Sequence, residues 1–225
     1  ADVHVLSKMD MMALEIGATV AALLMLYQES VQTAEASLKG SLMSQLIEGD
    51  ANRETILTDQ SLRYGVDLRS PYVMMVVEAD NSQPRYVTRL YRTINQVLTQ
   101  NELQAVAGQF AGQVVILIQA NQAIQTLAET LVERLTAHNG GCRIGISMTF
   151  KDATNVKHAH LQCVELLEIS RRLKSDTPIQ YFADLGYIHT LFHAGVESLH
   201  HNPYVPALRQ LLDEKQADLF NTLEA

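Results

Sequence analysis

The stretch from Pro71 to Phe150 constrains the fold more than any other, because apolar runs and helical periods alternate there in a βαββαβ order. After Pro71, YVMMVVEAD reads as a buried strand of aromatic and β-branched residues that ends on two carboxylates, Glu78 and Asp80. A helical stretch follows over Tyr86–Gln100. LQAVAGQFAGQVVILIQAN then places two apolar runs around Phe110-Ala111-Gly112-Gln113, the mark of a β-hairpin. A helix over Gln122–His138 and the run GGCRIGISMTF complete the order with a fourth strand. The pattern predicts an α+β domain whose sheet contains antiparallel pairs.

At 225 residues the chain can fill one core of ~100–150 residues and carry a helical appendage. A formal charge of −8 argues against this chain gripping a phosphate backbone, since nucleic-acid modules usually present a basic face. Cys142 and Cys163 have neither metal nor redox spacing, so a cytoplasmic protein with reduced thiols is expected. The longest apolar run, Ile16–Tyr27, falls well short of the ~20 residues a membrane span requires. It also lacks the basic leader of a signal peptide, so no membrane is expected. The chain begins Ala1-Asp2-Val3 without an initiator Met, which suggests a piece of something longer.

Ser7-Lys8-Met9-Asp10 reads as a capping box, and a helical pattern then runs almost unbroken to Glu48. Its apolar positions are Met9, Ala13, Ile16, Val20, Leu23, Tyr27, Val31, Ala34, Leu38, Leu42 and Leu46. Up to Tyr27 the spacings alternate four and three, which is a heptad seam. Later steps include consecutive fours, a stutter or the join of two helices. A helix of this length would reach ~60 Å and could not bury that stripe against one small domain. Pairing of two copies through Met9, Ala13, Ile16, Val20, Leu23 and Tyr27 is therefore expected. The competing reading folds the helix back onto its own domain after a break near Gly40. Three segments result: a long linker and dimerisation helix over 1–48, a domain over 49–186, and a C-terminal helical segment over 187–225. Within them, NRETILTDQSLRYGVDL reads as a short helix closed by Gly65. Beyond Phe150 lies an amphipathic helix with Val156, His160, Cys163, Leu167 and Leu173 near one face, and PIQYFADLG supplies a last short strand.

The Pro71–Phe150 order resembles a nucleotide-cyclase-like, ferredoxin-like core. In diguanylate cyclases the equivalent hairpin turn carries Gly-Gly-Asp-Glu-Phe, whose acidic pair serves metal binding and catalysis. Here that turn offers Gly112, Gln113 and Val114, with no acid. More of the chain, from Leu42 to Ala225, resembles the C-terminal half of PucR/CdaR-type bacterial transcription regulators. LMSQLIEGD, RYGVDLRSPYVMMVVEAD, CRIGISMTF, HLQCVELLEISRRL and IQYFADLGYIHTLF carry this resemblance through their order and spacing. It implies a degenerate GGDEF-like domain placed between an upstream sensor, often a GAF domain, and a C-terminal helix-turn-helix that binds DNA. MDMMALEIGATVAALLMLYQESV then looks like the sensor's final helix, and DLFNTLEA sits where the DNA-binding domain would begin. On this reading the chain is a non-catalytic, signal-transmitting homodimer module. Its effector would be bound at the sensor, and DNA would be read by a helix-turn-helix absent from this chain. The alternative is a divergent nucleotide-binding or cyclase-like enzyme domain.

No cofactor and no catalytic residue is expected. Glu78 and Asp80 alternate onto one strand face, where a shared divalent ion is geometrically possible. The hairpin, however, lacks the acids to complete a two-metal clamp. His189 and His193 have a zinc-ligand spacing without a third ligand, and His160 with Cys163 could share a helix face. His158 is two residues from His160 and so does not share its face; His200-His201 reads as a loop. Gly140-Gly141 reads as a plain turn, and Arg171-Arg172-Lys174 as a solvated helix end that complements the dipole.

Overall fold

The computed structural model describes residues 8–49, 53–80, 83–139, 141–186, 188, 189 and 192. The chain divides into two units, Ala1–Phe182 and Ala183–Ala225. The first contains the whole sheet. Most of the predicted C-terminal helical segment, with Ser7, Gly140, His193 and His200-His201, lies outside the described residues.

The elements in order are α1 (Lys8–Glu48), α2 (Glu54–Arg63), β1 (Tyr72–Ala79), α3 (Pro84–Gln100), β2 (Ala105–Phe110), β3 (Gln113–Gln119), α4 (Ile124–Asn139), β4 (Cys142–Phe150), α5 (Val156–Arg172) and β5 (Ile179–Tyr181). The five strands lie in the order β2-β3-β1-β4-β5. β1 is central, antiparallel to both β3 and β4, while β5 joins β4 in parallel. A βαββαβ run therefore closes into the α+β arrangement its periodicity predicts. The hairpin turns on Ala111 (φ 49°) and Gly112 (φ 79°), both left-handed. Two such residues make the turn whose twist matches the flanking strands.

Alternation along β1 feeds two cores. Val73, Met75, Val77 and Ala79 pack under α3 and α4, beside Leu90, Ile94, Ile116 and Leu131. Tyr72, Met74 and Val76 face the other way, towards α2, α5 and the last turns of α1. A register shift between Val73 and Met75 interrupts the β1–β4 ladder. Side chains satisfy Met74 there: its N–H donates to Ser147 Oγ (3.0 Å) and Cys163 Sγ donates to its carbonyl (3.4 Å). Cys163 is thus a core residue with a backbone partner. Its burial raises the thiol pKa well above the usual range.

α1 is one unbroken helix of 41 residues, and no break occurs at Gly40. Leu42, Met43, Leu46 and Ile47 are buried in the second core, so the folded domain begins inside α1, earlier than residue 49. Gly108 on β2 allows this approach: a Cβ there would stand 2.9 Å from Met43 Cβ and 3.0 Å from the Lys39 carbonyl oxygen. Before Ala36 the helix is exposed, although Glu29 still reaches Arg92 on α3. Leu173, expected on the inner face of α5, is instead exposed, because the helix ends at Arg172 just before it.

Candidate functional site

The C-terminal end of β1 and the β2–β3 turn meet at one end of the sheet, since Val77 on β1 lies opposite Val114 on β3. Glu78 is the next residue of β1 and Gln113 the next on β3. Glu78 Oε2 lies 3.8 Å from Arg171 Nε on α5, and Arg143 on β4 is its cross-strand partner. The strand ends at Ala79, so strict alternation stops before Asp80. Asp80 donates its N–H to the Gly141 carbonyl (3.4 Å), and its carboxylate fills the space a Cβ on Gly141 would take. Asp80 also helps push the Cys142 thiol up to about 12, after burial as the larger cause. The two acids therefore have different neighbours, a guanidinium for Glu78 and the Gly141–Cys142 turn for Asp80. Among the described residues no group of three or more His, Cys, Asp or Glu is placed to hold a metal ion.

The hairpin positions differ more sharply from a metal site. Gln113 pairs with Phe110 across the turn, and Val114 is fully buried in the α3/α4 core. A carboxylate at position 114 would be an unpaired charge among Val77, Ile116 and their neighbours, which costs several kcal/mol.

Among the described residues the histidines join no group of three or more candidate metal ligands. His160 is buried on α5 with its ring edge-on to Phe110 at 5.2 Å, and its Nε2 has no partner. Burial alone lowers its pKa. His158 is exposed. Arg172 pairs with Glu168 one turn back and Arg171 reaches Glu78, while both guanidinium side chains stay largely exposed at this helix end.

Two features were not legible in the sequence. A cleft of about 840 Å³ separates α1 from α3, with Gln32, Lys39, Tyr91, Arg92, Asn95 and Gln109 among its walls. It is spanned by Arg92–Glu29 at 3.8 Å, and Lys39 pairs with Glu35 at 2.7 Å on its α1 side. Contacts between residues so far apart in the chain leave no local signature. The other feature is where along α1 the exposure ends, since residues 9–35 are all exposed and burial begins only at Ala36. Met9, Ala13, Ile16, Val20, Leu23 and Tyr27, expected as a dimer seam, are all exposed. By length and composition, α1 over Met9–Glu48 is also long and apolar enough to cross a membrane, with a mean hydropathy of 1.7 in a window none of which is buried.

The sequence profile of the GGDEF-like domain matches residues 48–169, just over half of the chain. The chain belongs to the GGDEF-like domain family. Its α+β, cyclase-like fold is the one expected from the βαββαβ order. Among solved structures, it is similar to the active GGEEF domain of a diguanylate cyclase from Vibrio cholerae. That match has 12% identity over 55% of this chain and 90% of the other, with a TM-score of 0.39. It is also similar to a microbial GGDEF domain described with bis-(3,5)-cyclic di-GMP, at 17% identity over 57% and 86%, with a TM-score of 0.34. No curated protein matches.

Proposed function

We propose that this GGDEF-like domain is non-catalytic and serves as the signal-transmitting, dimerising module of a ligand-responsive, cytoplasmic bacterial transcription regulator of the PucR/CdaR type. In that role α1 carries the state of an upstream effector-binding sensor into the domain. DNA is read by a helix-turn-helix outside this chain, and two copies pair through Met9, Ala13, Ile16, Val20, Leu23 and Tyr27. The observation that carries the non-catalytic part is the burial of Val114 where a cyclase holds an acid. Phosphoryl transfer needs metal-bound charge at that turn, and neither Gln113 nor Val114 can supply a carboxylate. Arg171 beside Glu78 supports the same reading, because a guanidinium already neutralises the acid at the strand end.

Purified chain incubated with GTP and magnesium should form no cyclic dinucleotide. Turnover that disappears in Glu78→Ala would establish instead the competing reading, a divergent cyclase that still works through the acids ending β1. The regulatory part is tested by Val20→Glu, which puts a carboxylate into the proposed seam. Protomers should separate by light scattering and operator binding by the full-length regulator should fall, with circular dichroism unchanged. Unaltered mass together with unaltered operator affinity would remove α1 from the signalling route.

A further inference from the structure

The cleft between α1 and α3 is built unlike the stretches of α1 on either side of it. Before it, over Ile16–Tyr27, the helix is apolar and exposed; beyond it, at Leu42, Met43 and Leu46, the helix is buried. Between these stretches α1 reads QESVQTAEAS over residues 28–37, and this polar segment lines the cleft. Ala36 packs against the core that contains Tyr91, and the two form the floor. Seven residues back, roughly 10 Å along the axis, Glu29 reaches across to Arg92. The cleft held open around these contacts is about 840 Å³, within the ordinary range of small-molecule sites.

Its walls decide the class of ligand. Gln32 on α1, Gln96 on α3 and Gln109 on β2 come from three different elements. Each carboxamide offers both donors and an acceptor. None of the three side chains has a hydrogen-bond partner among the described residues. The four charged groups of the cleft cancel in pairs, Glu29 with Arg92 at 3.8 Å and Glu35 with Lys39 at 2.7 Å. An ionic ligand would have to break one pair and strand a charge, whereas a neutral ligand leaves both in place. Ala36 and the ring of Tyr91 offer too little hydrocarbon for an apolar ligand. Hydroxyl groups suit the carboxamides, because each hydroxyl also donates and accepts.

We propose that the α1/α3 cleft binds a neutral polyhydroxy compound, a sugar or sugar alcohol, through Gln32, Gln96 and Gln109. A ligand held by these three touches α1, α3 and β2 at once, so its binding ties the exposed part of α1 to the sheet. The site does not depend on the regulator reading above, and it puts a ligand in the GGDEF-like domain itself.

Calorimetry on the 225-residue chain tests this with glucose, maltose and sorbitol, and with gluconate and glucosamine as charged counterparts. At least one neutral probe should bind with a Kd below about 5 mM. Gln32→Ala/Gln96→Ala removes two exposed carboxamides and should weaken that binding at least about tenfold, with urea unfolding unchanged. Gluconate and glucosamine should bind at least about threefold more weakly than the neutral probe. Saturation with that probe should slow amide exchange over residues 29–36 at least about threefold. A preference for sorbitol or for the two ring sugars upholds the site either way and says which source fills it. No heat from any neutral probe at about 50 mM, ten times the expected limit, would overturn the proposal. Binding untouched by the double variant would put the ligand elsewhere on the chain and overturn it too. A charged probe that binds more tightly than all three neutral ones would show the ion pairs opening for ligand and sink the neutral class. Unchanged exchange over residues 29–36 at saturation would sink the tie between α1 and the sheet.

Discussion

The two ends of α1 are made of the same residue types, yet Leu42, Met43 and Leu46 are buried while Leu24, Met25 and Leu38 stand in solvent. Helix propensity does not distinguish them. The difference is what lies opposite. At the C-terminal end the edge strand β2 offers Val106 and the bare backbone of Gly108, and α5 closes the far side with Val156, Ala159 and Cys163. At the N-terminal end none of the described residues covers the helix. A segment this apolar needs tertiary burial, because isolated helices are only marginally stable in water. One end is helix made by the domain, and the other is helix that awaits a neighbour.

The sharpest way to break that contrast is to truncate matched residues on its two sides. Met43→Ala removes a fully buried side chain and should cost about 2–5 kcal/mol in urea unfolding. Met25→Ala, at 70% exposure, should stay within about 0.5 kcal/mol in the same experiment. Equal costs would mean that the arm is already packed in the isolated chain. A smaller effect is expected from Gly108→Ala, whose added Cβ presses on Met43 and on the backbone of Lys39. Destabilisation of about 1–3 kcal/mol should appear, and Met43→Ala in the same chain should relieve part of it. A strictly additive pair would show that the two do not touch.

The smallest effect concerns acid stability of the core that the docked end helps to close. His160 has its pKa lowered in the folded state by burial, against an ordinary value near 6.5. The unfolded chain therefore takes up this proton first as pH falls. Stability contributed by the neutral ring is complete above the unfolded value and is lost as pH falls through the folded one. Between pH 7.5 and 5.5 the chain should lose stability at no more than about 1.4 kcal/mol per unit from this group. His160→Leu should flatten that part of the slope, and an unchanged slope would place the proton elsewhere.

The sheet was legible because its signals are local. The aromatic and β-branched run of β1, the Ala111-Gly112 turn and the helical period of α3 each occupy a few adjacent residues. The stripe on α1 was only partly legible. Read as one face from Met9 to Leu46, it passes over the change at Leu38. Each step of four overshoots a full turn by roughly 40°, so Leu38, Leu42 and Leu46 rotate from the outer face into the domain. The alternation assumed from Glu78 to Asp80 likewise runs past the strand's end at Ala79, and the two acids have different neighbours. Arg171 as partner of Glu78 and Phe110 as neighbour of His160 join residues far apart in the chain, and no spacing rule reaches them.

Gly108 gives this molecule a mechanical character. Where most helices rest on a sheet through side chains that yield, α1 rests on β2 almost backbone to backbone. Such a contact is stiff and acts as a fulcrum. From there α1 reaches back to Met9, a lever of roughly 45–50 Å. A tilt of about 5° at the fulcrum sweeps the tip through roughly 4 Å, and a push of that size at the tip is geared down to a small rotation at β2. Gly108 stands only a few residues from the Ala111-Gly112 turn. Movement of the arm is therefore passed first to β2 and to the hairpin into which that strand leads.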